Sequence, residues 1–183
     1  WWCTRDTYFH SPEFNDNDSV LPNPEKDPER FALWVKESLH QLIEVKKYTN
    51  IKYLILFTEP LNYKSGIVPQ GFTQEEYYEK VCRKINDELI KAGLRDKIKI
   101  VGPNSGSTRT GQWIGWAKDK LDDVIDIYSW HAYNATRWHR EYDGWKEITE
   151  LGKNKMIETG KPFWIDEYGC GYPDEKIRTK PDY

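Results

Sequence analysis

Residues 54–63 read LILFTEPLNY. Four apolar side chains, Leu54 to Phe57, run directly into Thr58, Glu59 and Pro60. Together with Ile51 they make a nearly unbroken apolar segment, which suits a strand covered on both faces, as in parallel sheets. A carboxylate at the end of such a strand is costly unless something compensates it. Glu59 therefore asks for a chemical explanation, and the sequence on either side supplies the setting.

Upstream, residues 10–28 are rich in Pro, Asn and Asp and read as a long loop. Asp27-Pro28-Glu29 then offers an N-cap, a proline at the first helical position and an acid in the first turn. Phe31, Val35, Leu39, Leu42 and Ile43 follow at helical spacing, predicting a helix to about Tyr48. Downstream, Thr73-Gln74-Glu75-Glu76 is a capping box opening a helix with Tyr78, Val81, Ile85 and Leu89 on one face. Gly93 is its left-handed cap. Lys97 to Val101 is the next expected strand, ending at Gly102-Pro103-Asn104, followed by a short helix around Gln112 to Leu121. Val124 to Trp130 is the third strand, running into His131-Ala132-Tyr133. Asp143 starts a helix carrying Trp145, Ile148 and Leu151, closed by Gly160. Pro162 to Asp166 is the fourth strand, ending in Glu167-Tyr168-Gly169. Strands and helices alternate, so the fold class is α/β with a parallel sheet, and no linker divides residues 1–183 into two domains.

The bulk composition narrows the function classes. With 27 basic and 30 acidic residues, nothing points to nucleic acid or an anionic membrane surface. No apolar run reaches the length of a membrane span. Nine Trp, twelve Tyr and six Phe supply either a ring-rich core or flat apolar faces for a ligand. Cys3, Cys82 and Cys170 form no Cys-x-x-Cys pair, and their spacing decides no disulfide. Asn17-Asp18-Ser19 and Asn134-Ala135-Thr136 fit the glycosylation acceptor pattern, which matches often by chance. The histidines and acids show no metal-ligand spacing, and no cofactor is implied. The chain begins Trp1-Trp2 and its one methionine is Met156, so the expectation is a removed leader or a piece of a longer protein.

Polar groups collect at the expected C-terminal ends of strands: Glu59, Asn104, His131, Tyr133 and Glu167. In an α/β barrel that end carries the active site. An open doubly wound sheet would bring a glycine-rich phosphate loop, and Gly102-Pro103-Asn104-Ser105-Gly106 does not match one. Alternation along a strand groups Glu59 with Phe57 and Ile55, and Glu167 with Ile165 and Phe163. Two acids would then point into the mouth from non-adjacent strands, the arrangement glycoside hydrolysis needs. By the same count Asp166 faces away and is expected to be structural. Asp126 is expected mid-strand in a salt bridge.

These motifs resemble the retaining glycoside hydrolases of clan A, which are (β/α)8 TIM barrels, with families 5 and 39 nearest in flavour. Thr58-Glu59-Pro60 is similar to the Asn-Glu-Pro that ends strand four there, and Trp164-Ile165-Asp166-Glu167-Tyr168-Gly169 to the nucleophile setting that ends strand seven. His131-Ala132-Tyr133 resembles the His-x-Tyr that ends strand six. The resemblance implies Glu59 as acid/base, Glu167 as nucleophile and Tyr133 as the hydrogen-bond donor to that nucleophile. Thr58, Asn104, His131, Trp130 and Trp138 would support the substrate, with Tyr172 a further ring for stacking. It also implies a carbohydrate substrate and extracellular or periplasmic residence. The chain would cover about strands four to seven, an incomplete barrel of about four βα units, since a complete one takes about 250 residues. Missing barrel segments or self-association would then complete it. Thr58 stands where the family usually has Asn, which leaves a catalytically weakened, carbohydrate-binding barrel as the alternative.

Overall fold

The computed structural model describes residues 28–57, 71–105, 110–133, 150, 153–154 and 158–169. Helix α1 spans Pro28–His40 and buries Phe31, Ala32, Val35 and Leu39. Burying each of the larger side chains contributes about 1.5–3 kcal/mol relative to leaving it in water. The helix continues as one wide π-helical turn, Gln41–Val45, in which Lys46 N–H donates to Gln41 O at 2.8 Å. The extra residue rotates the apolar stripe, so Ile43 still packs on the core while Val45 is exposed.

Strand β1 is Tyr53–Ile55, shorter than the apolar run around it. Helix α2 is Gln74–Lys91 and begins with the expected capping box: Thr73 N–H donates to Glu76 Oε2 at 2.8 Å, and Glu76 N–H to Thr73 Oγ1 at 3.2 Å. Gly93 follows with φ +64°. Strand β2 is Lys99–Ser105, α3 is Thr110–Leu121, β3 is Ile127–Tyr133 and β4 is Phe163–Gly169. The expected strands exist and are parallel, but β2, β3 and β4 run about three or four residues further toward their C-termini than the apolar runs suggest. Asp126 consequently precedes β3 instead of sitting within it.

The four strands lie in the order β1-β2-β3-β4, every pair parallel. This is half of an eight-stranded α/β barrel. One face packs the helices: Leu54, Leu56, Ile100, Tyr128 and Trp130 join the buried faces of α1, α2 and α3 in a single core. The other face carries Ile55, Val101 and Ile127, with Trp164 against them. Strands β1 and β4 are opposite edges, about 14 Å apart in a flat sheet. The rings of Tyr53 and Trp164 nevertheless meet edge-on with centroids 4.6 Å apart, so the sheet curls around its inner face. Among the described residues, no helix is long and apolar enough to cross a membrane.

Candidate functional site

Two register shifts bring the polar groups together. Between β2 and β3 the pairing slips from Pro103↔Ser129 to Ser105↔Trp130, leaving Asn104 as an extra residue. Asn104 takes φ +54°, a left-handed conformation that asparagine tolerates better than most side chains. Between β3 and β4 the pairing slips from Trp130↔Ile165 to His131↔Glu167, leaving Asp166 as the extra residue. Bulges of this kind bend a strand and re-aim its side chains. Here the two bulged residues meet over the intervening strand, where Asn104 Nδ2 donates to Asp166 Oδ2.

His131 lies between the consecutive acids of β4. Its Nδ1 is 3.4 Å from Glu167 Oε2, and its Nε2 is 3.9 Å from Asp166 Oδ1. Exposure separates these groups. The side chains of His131 and Asp166 are 0% exposed, whereas that of Glu167 is 39% exposed. Asn104 is buried. Burial pushes the Asp166 carboxyl above its ordinary value, opposed by the charge of His131, the Asn104 amide and the Ser129 hydroxyl. Among the described residues Asp166 Oδ1 accepts no hydrogen bond.

The alternation argument fails on both strands, for a physical reason. Phe163 and Ile165 pack against the helix-side core, so unbroken alternation would have sent Glu167 among the helices. Trp164 lies on the inner face, so alternation places Asp166 there as well, and the bulge then brings Glu167 to the same side, with both acids at His131. Asp166, expected to face away as a structural residue, is therefore a member of the cluster. Ile55 and Phe57 do not share a face either. Ile55 lies on the inner face, while the Phe57 ring packs against Phe31 and Tyr78 on the helix side. Trp130 also needs correcting as a supporting residue for substrate: it is 0% exposed within the helix-side core, against Phe163. Asp126 is salt-bridged as expected, with Arg95 Nη1 at 2.8 Å.

Thr58, Glu59, Trp138 and Tyr172 lie outside the described residues, as do Cys3 and Cys170. Of Tyr133 only the backbone, at the end of β3, is described. Cys82 is a buried free thiol on α2, pushed up to about 12 by burial. Asp166 was legible only as the Asp-Glu pair that closes an apolar strand. The slip that brings Glu167 beside it depends on the partner strand.

No family model matches the sequence, and no curated protein matches it. Solved structures do match the fold. A GH39 enzyme from Xanthomonas axonopodis pv. citri aligns with a TM-score of 0.58 at 13% identity, over 80% of this chain and 31% of that one. A monomeric beta-xylosidase from Caulobacter crescentus CB15 aligns with a TM-score of 0.56 at 11% identity, over 79% of this chain and 32% of that one. The chain thus spans about a third of the length of each. At this identity the likeness is one of fold: the four parallel strands and their helices correspond to part of an α/β barrel.

Proposed function

We propose that the protein is a retaining glycoside hydrolase acting on an oligo- or polysaccharide, with Glu167 as nucleophile and Glu59 as acid/base. Glu167 attacks the anomeric carbon while Glu59 gives its proton to the departing glycosidic oxygen. The sugar is then held as an ester on Glu167. Glu59 next takes a proton from water, which attacks the same carbon and releases Glu167 as a carboxylate. Tyr133 would hold the nucleophile, Thr58 would face the sugar 2-hydroxyl, and Trp138 would lie along the substrate. Residence outside the cytoplasm would suit a polysaccharide substrate.

The observation that carries this reading is the placement of Glu167. It lies near the C-terminal end of a parallel strand on a glycoside hydrolase-type fold, sits against His131, and is the accessible member of a cluster otherwise shut away from solvent. One structure with this fold is a beta-xylosidase, so an aryl β-xyloside is the first substrate to try, with an aryl β-glucoside beside it. The decisive experiment uses the corresponding 2-deoxy-2-fluoro glycoside with a good leaving group, followed by peptide mapping. Stoichiometric inactivation with the sugar on Glu167 is expected. A label on another side chain would overturn the assignment of Glu167, and no hydrolysis of any aryl glycoside would overturn the enzymatic reading.

A further inference from the structure

We propose that Asp166 is a positioning residue for Glu167, acting through His131. This rests on the reading of Glu167 as the nucleophile, but the arrangement itself is independent of that role. The bulge puts two consecutive acids on one side of β4, and the imidazole lies between them with one ring nitrogen toward each. A neutral imidazole has one N–H and can serve one carboxylate; an imidazolium has two and can serve both. Asn104 holds Asp166 by its other oxygen, so Oδ1 stays directed at Nε2. Closing the 3.9 Å gap by about 1 Å would make an ordinary charge-assisted hydrogen bond.

In this arrangement Asp166 keeps a proton on Nε2 and turns the ring so that Nδ1–H is directed at Glu167 Oε2. One oxygen of the nucleophile is then steadied. Within this trio, one imidazolium between two carboxylates leaves a single net negative charge. Among the described residues, this pair meets Glu167 from β4, the uncharged Asn104 from β2 and Ser129 on β3 itself; the Tyr78 phenol of α2, in the helix-side core, is raised well above its ordinary value first by burial and last by the charge of Asp166. A purely packing role for Asp166 would need neither a charge nor a particular protonation state of His131.

The test has two readouts. First, the His131 ring is titrated by nitrogen NMR in the wild-type protein and in Asp166→Asn. Removing the facing charge is expected to lower the His131 pKa by about one unit or more. An unchanged titration would overturn the proposal. Asn104→Ala, which removes the donor but keeps the acid, is expected to move His131 the same way by less; should Asp166→Asn not fold, this variant decides alone. Second, a double-mutant cycle is run on aryl glycoside turnover. Asp166→Asn is expected to lower kcat/KM about 10- to 100-fold in the wild-type background, but less than about threefold once His131→Asn is present. Additive losses would mean that Asp166 does not act through His131. A shifted His131 titration without any hydrolysis would sink the glycosidase reading alone. Hydrolysis with an unmoved His131 would sink the positioning role alone.

Discussion

An aspartate is buried or half-buried at each end of this sheet, and the two are treated differently. At the foot, Asp126 Oδ2 accepts from Ile100 N–H at 2.8 Å and pairs with Arg95 at 2.8 Å, while Oδ1 meets Lys99 at 3.4 Å. Arg95 is itself anchored on Asn86 Oδ1, Ile98 O and Val124 O. The strands pair in regular register there, Val101 opposite Ile127. At the head, Asp166 is more deeply buried, has one amide donor from Asn104, and sits where both neighbouring strand pairs slip. The foot is saturated with donors and holds the sheet together. Among the described residues, the head leaves one oxygen of its buried acid without a donor, an arrangement that costs stability and is characteristic of chemistry.

Substitutions at the two ends should therefore separate activity from stability. The largest effect is expected at Glu167→Gln, which should lower glycoside turnover on the order of 10⁴-fold while the thermal midpoint stays within a few degrees. Activity near the wild-type level would break the functional half of the comparison. Asp126→Ala at the foot should do the reverse. It leaves Arg95 without its carboxylate and Ile100 N–H without its acceptor, and should cost about 2–3 kcal/mol in urea unfolding with KM unaltered. A loss below the error of the denaturation curve would show that the foot is not a stabilising cluster.

Gly102→Ala probes the join between β2 and α2, just below the head. A Cβ there would lie 3.0 Å from the Tyr78 hydroxyl and 3.6 Å from Ile125. Overpacking of this kind should cost about 1–2 kcal/mol. A wild-type denaturation midpoint would mean that the buried Tyr78 yields without penalty. The smallest effect, and the most diagnostic, is a pH dependence. Burial raises the Asp166 carboxyl in the folded state, so from about pH 3.9, the ordinary value, up to the raised one the unfolded chain gives up this proton first. Stability from this group is then fully present below that window and falls as pH rises through it. Asp166→Asn has no such proton, so its stability relative to wild type should improve across the window and stay improved above it. Parallel denaturation midpoints for the two proteins from acid to neutral pH would count against a costly acid at the head.

Much of the fold could be read locally. The capping box at Thr73 and Glu76, the left-handed Gly93 and Gly160, and the apolar stripes of α1 and α2 each depend on residues a few positions apart. The strand ends were harder, because β2, β3 and β4 continue through polar residues that pair only once a neighbour is present. Trp130 illustrates the limit: its ring looked suited to a sugar, and its position in β3 directs it into the helix-side core. Glu167 illustrates the converse, since an even alternation from Phe163 and Ile165 would have turned it away from His131.

The order of strands and helices, the caps and the presence of acids at strand ends were therefore fixed by the sequence alone, because each follows from short-range periodicity and backbone preference. Which of those acids share a face was decided by the tertiary structure. A bulge is a mismatch between two strands, and alternation within one strand carries no information about where its partner slips.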